Sequence, residues 1–216
     1  MIKNLLENSN AIMIITRIFV LLVCFPVHEC AHAWTADRLG DPTARTRGRI
    51  SLNPFKHLDF MGTVFILLMG VGYAKPVPVN INNFRHKKRD FALTSLAGPI
   101  SNLLMTVLFL VLARTVAFND SSDSAALLFQ LFLNAAYINL SLAVFNLIPI
   151  PPLDGSRVLL AVLPDSAYNE VLRNERTIMG VLLVSLMLLG RMGISPIGVV
   201  TRNLFRVLYQ IMLDQI

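Results

Sequence analysis

Charge is scarce in this chain. Asp, Glu, Lys and Arg make up 15% of its 216 residues, against 55% hydrophobic, and the mean hydropathy is +0.62. A soluble domain of this size carries more charge, so the composition points to the membrane class before any motif is read. Acidic side chains are the scarcer sign, 13 against 19 basic. The net charge of +6 is not a nucleic-acid footprint, because the basic residues are spread between apolar runs with few aromatics among them. Cysteine is nearly absent. Cys24 and Cys30 lie in one apolar helix at a spacing that puts them on different faces, so they do not pair and say nothing about redox compartment. Internal repeats and low-complexity segments are missing too. So is a separate signal peptide, since the first apolar run carries polar residues that the chemistry below requires.

What is present is a set of apolar runs near the roughly 20 residues that a helix needs to cross a bilayer. The length sets one domain, 1–216, with a core of about 11–165 and a C-terminal part of 177–216. Long spans are predicted at about Ala11 to Ala36, Phe91 to Phe118 and Ala125 to Ile148, with a shorter one from Thr177 to Leu189. The fold class is therefore an all-α, multi-span membrane bundle of about 4–6 helices. Arg49-Ile50-Ser51-Leu52 reads as a short strand, and Lys75 to Asn80 as extended, because each proline pushes its predecessor out of helical space. Residues 156–176 read as a mixed-charge loop. In the tail, Arg202, Arg206 and Gln210 form a polar stripe on one helix face. That helix either lies in the membrane interface or is a last span whose stripe faces the bundle.

The loops at 37–57 and 73–90 are basic, and the turn at 119–123 is acidic. The positive-inside rule places both basic loops in the cytoplasm. The apolar run Leu58 to Val71 then joins two loops on the same side, so it is expected to be re-entrant, beside a wet cavity. An ordinary short span with one basic loop outside is the alternative.

His28-Glu29-Cys30-Ala31-His32 is an H-E-x-x-H pattern. On a helix its two imidazoles share a face and can reach one zinc ion, with Glu29 beside them as a general base. Ionisable groups inside an apolar span default to function. Catalytic zinc usually takes a third protein ligand. His57 and His86 fall in basic loops and read as solvated. Asp154 is the better candidate, because it follows a span parallel to the first and behind helix-breaking prolines. The competing reading is an ordinary Asp-Gly turn. The histidines would sit roughly 10–15 Å in from the boundary near Leu39. Asn146 either contacts substrate or bonds a neighbouring helix. Gly98, Pro99 and Asn102 pose the same choice between substrate binding and helix packing.

Taken together, His28 to His32, Gly98-Pro99-Ile100-Ser101-Asn102 and Asn146 to Gly155 resemble the site-2 protease family of intramembrane zinc metalloproteases. Gly48 to Pro54 and Ala74 to Asn80 resemble its short prokaryotic branch, without PDZ or CBS-like modules. The resemblance covers roughly residues 20 to 165. It implies one zinc ion held by His28, His32 and Asp154, a catalytic Glu29, a substrate-contacting Asn146 and a re-entrant loop presenting an edge strand to an unwound substrate helix. Transmembrane proteins would be the substrates, lipid the surroundings and a bacterial inner membrane the location. An oligomer is left open. Phe60 departs from the family, where a proline is common after the aspartate. Two rivals remain on sequence grounds: a membrane zinc carrier or sensor without hydrolysis, and a silent scaffold that binds membrane clients.

Overall fold

A computed structural model describes residues 9–59, 63–64, 75–119 and 122–213. The first span is a helix broken once. Helix α1 (Ser9–Phe19) runs into a π-helical turn, Val20–Cys24, and continues as α2 (Phe25–Arg38). Pro26 in the first turn of α2 has no N–H to offer the preceding turn. The π turn absorbs this, with Phe25 N–H bonding Val20 O. One extra residue turns the buried face of α2 by about 100° relative to α1. That rotation sends His28, Glu29 and His32 inward.

A short helix, α3 (Thr43–Thr46), begins the basic loop. Then α4 (Lys87–Asn119) and α5 (Asp123–Asn146) cross back and forth, joined at Ser122, whose side chain caps α5 by accepting from Ala125 N–H. Among the described residues, three helices, 11–38, 87–118 and 123–146, are long and apolar enough to cross a membrane. A fourth crossing exists if the bent pair α8 (Glu175–Arg191) and α9 (Pro196–Leu213) counts as one, at a bend of 74°. The chain is an integral membrane protein, and its described residues reach the lower end of the expected span count.

Small residues line the helix contacts. Ala113, Ala135, Ala136 and Ala143 are fully buried and let the backbones approach, as membrane helices require. Phe109 anchors the centre, edge-on to Phe19 at 5.5 Å and stacked on Phe132 at 6.1 Å. Outward-facing Ile14, Ile18, Leu104, Leu108 and Val111 form the lipid side.

Three expectations need correction. Among the described residues there is no strand. Residues 49–53 and 75–80 are extended, but side chains take up backbone groups at Ser51 and at both ends of 75–80. His57 Nε2 donates to Ser51 O, Arg49 Nη2 donates to Lys75 O, and Asp41 accepts from Asn80 N–H. The mixed-charge stretch expected to be a loop forms α6 (Asp154–Val162) and α7 (Asp165–Arg173). Asp165 in the first turn of α7 and Arg173 in its last complement the helix dipole. The C-terminal helix α9 packs on the bundle through Phe205, Leu208 and Met212, while Arg202, Arg206 and Gln210 are exposed and do not face it. The expected re-entrant segment, and Phe60 within it, fall largely outside the described residues.

Candidate metal and catalytic site

The site is assembled by α2, α4 and the start of α6. His28 and His32 stand one turn apart on the inner face of α2, their rings edge to face at 4.6 Å. Their Nε2 atoms are 3.0 Å apart. Asp154 Oδ2 lies 3.5 Å from His28 Nε2 and 3.4 Å from His32 Nε2. Zinc bonds of about 2.0–2.1 Å in tetrahedral geometry place neighbouring ligand atoms about 3.3–3.4 Å apart. The two edges to Asp154 match that spacing, and the edge between the imidazoles is about 0.3 Å shorter. His28, His32 and Asp154 are also the cluster of His, Cys, Asp and Glu close enough to share one metal among the described residues.

Tautomers support the same conclusion. His32 Nδ1 lies 2.8 Å from the Thr94 carbonyl, so it carries the proton and donates. In the neutral ring its Nε2 is then a lone pair, 3.4 Å from the carboxylate of Asp154. Converging lone pairs repel one another unless a cation lies among them. The donor set of two imidazoles and one carboxylate is one that catalytic zinc takes.

Two glycines make the convergence sterically open. At Gly98 a Cβ would come within 2.3 Å of His32 Nε2 and 2.5 Å of His28 Cε1, so α4 reaches the histidines only with hydrogen at this position. At Gly155 a Cβ would lie 2.2 Å from Leu147 O, so the chain folds back after α5 only without a side chain there. That fold-back turns Asp154 toward α2. Asp154 is the first residue of α6, just after the N-cap Leu153, and its carboxylate faces both histidines. Helix α6 is held to α4 at both ends. Arg157 sits over the Phe91 ring at 5.2 Å and pairs with Glu175. Lys88 bonds Leu163 O at 2.6 Å and Asp165 at 2.6 Å.

Glu29 is buried beside the pair, and its charge acts on His32, Arg49 and His57. Gly98 is buried against the histidines, Pro99 beside it is buried too, and Asn102 is 1% exposed one turn further along α4. Asn146, the last residue of α5, is partly buried at the same end of the bundle.

The solvated reading of His57 is wrong. His57 is fully buried, whereas His86 is exposed as expected. His57 Nε2 donates to Ser51 O at 2.7 Å, and Nδ1 faces Arg49 Nη2 at 3.5 Å. A guanidinium cannot accept, so Nδ1 is the acceptor and the ring is neutral. Burial, followed by the Arg49 charge, holds its pKa below the ordinary imidazole value despite the opposing Ser51 bond and Glu29 charge. Arg49 also donates to Lys75 O at 2.6 Å, and Lys75 N–H bonds His57 O at 2.8 Å. This latch joins the two ends of the segment between His57 and Lys75. A second tie is Asp41, which accepts from Asn80 N–H and Asn83 Nδ2, each at 2.7 Å, and from Thr43. Burial works to raise the Asp41 carboxyl, but these bonds outweigh it and hold the pKa low. Sequence reasoning missed the latch because its residues carry no periodicity and basic loops default to solvent.

The sequence profile of peptidase family M50 matches residues 16–189. The chain belongs to peptidase family M50. The likeness to the site-2 proteases is borne out. Among curated relatives, YwhC of Bacillus subtilis is 39% identical over 161 residues, covering 73% of this chain and 74% of that protein. Rip2 of Mycolicibacterium smegmatis is 36% identical over 139 residues, covering 62% of this chain and 52% of its own length. MJ0611 of Methanocaldococcus jannaschii is 32% identical over 99 residues, covering 46% and 49%. All three bear zinc metalloprotease names. No solved structure gives a significant match.

Proposed function

We propose that this family M50 member is an intramembrane zinc endopeptidase that cleaves membrane-protein substrates in or near their transmembrane segments. The observation that carries the reading is the triangle of His28, His32 and Asp154, with zinc-site spacing, built inside a membrane bundle beside a buried Glu29. The zinc metalloprotease names of the relatives support the choice of metal.

In this reading His28 and His32 hold zinc through Nε2, and Asp154 holds it through a carboxylate oxygen. When bound, zinc supplies Lewis acidity, which polarises a carbonyl and acidifies water. Glu29 takes the proton from the attacking water at its carboxylate and passes it to the leaving amide nitrogen. Its burial, next to Arg49, keeps that carboxylate in a shielded site. Asn146 lies at the mouth of the site on the α5 end, where its amide can hold a substrate carbonyl. The extended residues 75–80 offer backbone groups that an unwound substrate segment can pair with. The basic loops support a site toward the cytoplasmic side of a bacterial cell membrane. Residues 11–165 form the catalytic core.

Glu29→Gln separates this reading from its rivals. It should keep one zinc per chain and lose cleavage, seen as membrane proteins that persist in cells carrying the variant and shorten in cells carrying the active enzyme. Equal membrane proteomes for the two would favour the zinc carrier or the silent scaffold.

A further inference from the structure

Four buried polar atoms near the metal cluster have no hydrogen-bond partner among the described residues: His28 Nδ1, Asn102 Oδ1, Asn102 Nδ2 and Asn139 Oδ1. Their places in the bundle follow from the bonds around them. His32 bonds Thr94 O, and both histidine rings face Gly98, so α2 and α4 run antiparallel with His28 level with Gly98. Asn102 is the next residue of α4 on that face. On the other side, Thr106 Oγ1 bonds Asn102 O at 2.9 Å and Ala136 O at 3.4 Å. Since α5 is antiparallel to α4, Asn102 comes level with Asn139. Asn139 Nδ2 reaches Cys24 Sγ at 3.2 Å and Ala135 O at 2.8 Å. Cys24 lies one turn before His28. Asn102 therefore sits among His28, Cys24 and Asn139.

The unpartnered atoms are complementary. If His28 Nε2 is a ligand, the single proton of a neutral imidazole must be on Nδ1. That makes Nδ1 a buried donor without an acceptor. The Ala135 bond fixes Asn139 Nδ2 as its donor end, so Asn139 Oδ1 is an acceptor without a donor. Asn102 offers one of each.

We propose that Asn102 is the positioning residue of His28, its Oδ1 accepting the Nδ1 proton and its Nδ2 donating to Asn139 Oδ1. Asn102 then does for His28 what the Thr94 carbonyl does for His32, holding the tautomer that presents Nε2 to the metal. At 1% exposure, one turn beyond Gly98 on α4, it is closed to a bound peptide. This assignment rests on His28 being a zinc ligand.

The test is zinc affinity of the full chain in detergent, by competition with a chelator. Asn102→Leu should bind zinc about 10–100-fold more weakly, the usual loss of an outer-shell partner. Asn102→Asp, which keeps an oxygen facing His28, should stay within about threefold of the unaltered chain. Unchanged affinity in Asn102→Leu overturns the proposal, as does an equal loss in both variants. A direct contact with substrate would instead raise KM and leave zinc affinity alone. If Asn102→Leu does not fold, ¹⁵N NMR of the unaltered zinc-loaded chain decides. The His28 Nδ1 proton should show the downfield shift of a hydrogen-bonded imidazole N–H, and the shift of an N–H without an acceptor overturns the assignment. Should His28→Ala bind zinc as tightly as the unaltered chain, the ligand reading fails instead, and with it the premise.

Discussion

Replacing Gly98 by alanine adds one methyl group at the closest approach of α4 to the histidines. The new Cβ would lie 2.3 Å from His32 Nε2, where ordinary contact begins at 3.4 Å. The shortfall is about 1.1 Å, and two buried rings share it, since His28 Cε1 is only 2.5 Å away. Helix α4 cannot retreat freely, because it also packs on α5 and α6 and holds α6 through Lys88. Overpacking of this kind costs about 1–3 kcal/mol. If the rings relieve it by leaving metal geometry, zinc affinity falls about 5–150-fold. Displacing reacting groups by about 1 Å lowers turnover about 100-fold. The assay is zinc affinity by chelator competition, with thermal unfolding of the same samples. Gly180→Ala serves as the control, because a Cβ there meets nothing within 4 Å and alanine favours the helix by up to about 1 kcal/mol. Wild-type zinc affinity and cleavage in Gly98→Ala would refute the steric argument.

Other consequences are as direct. Asp154→Ala should weaken zinc binding by more than the roughly 10–100-fold of an outer-shell partner, read in the same competition assay; unchanged affinity would return Asp154 to a turn role. His57→Gln should flatten the acid side of the stability profile measured by thermal unfolding. The folded state keeps His57 neutral, while the unfolded chain takes up a proton below about pH 6.5. Stability from this residue is therefore full above that pH and falls as pH drops toward the lowered folded value. Asp41→Asn places an amide among four donors and should lower stability by about 1–3 kcal/mol. Its effect in the unaltered chain appears at lower pH, since a depressed carboxyl loses its contribution only as pH falls through its folded value.

The parts legible in the sequence were those with a period or a spacing. Apolar runs gave the long helices to within a few residues. His28 and His32, one turn apart, announced a shared face, and the prolines before Asp154 announced a break. What stayed hidden depends on contacts between distant segments. Gly98 looked like one of many membrane glycines, and only the approach of α4 to His32 shows why hydrogen is needed there. His57 looked solvated because its neighbours are basic, yet Arg49, Ser51 and Lys75 enclose it. The residues 156–176 looked like a loop because charge masked two short amphipathic helices. The strand at Arg49 to Leu52 had the right pattern, but among the described residues nothing pairs with it.

The central claim is that His28, His32 and Asp154 hold one zinc ion in this chain. Zinc-edge X-ray absorption on the purified full-length protein tests it most directly. The account predicts one zinc per chain, two imidazole nitrogens and oxygen donors at about 2.0–2.2 Å, and no sulfur. A sulfur shell at about 2.3 Å, which would bring in Cys30 or Cys24, or a protein that retains no zinc, would contradict it.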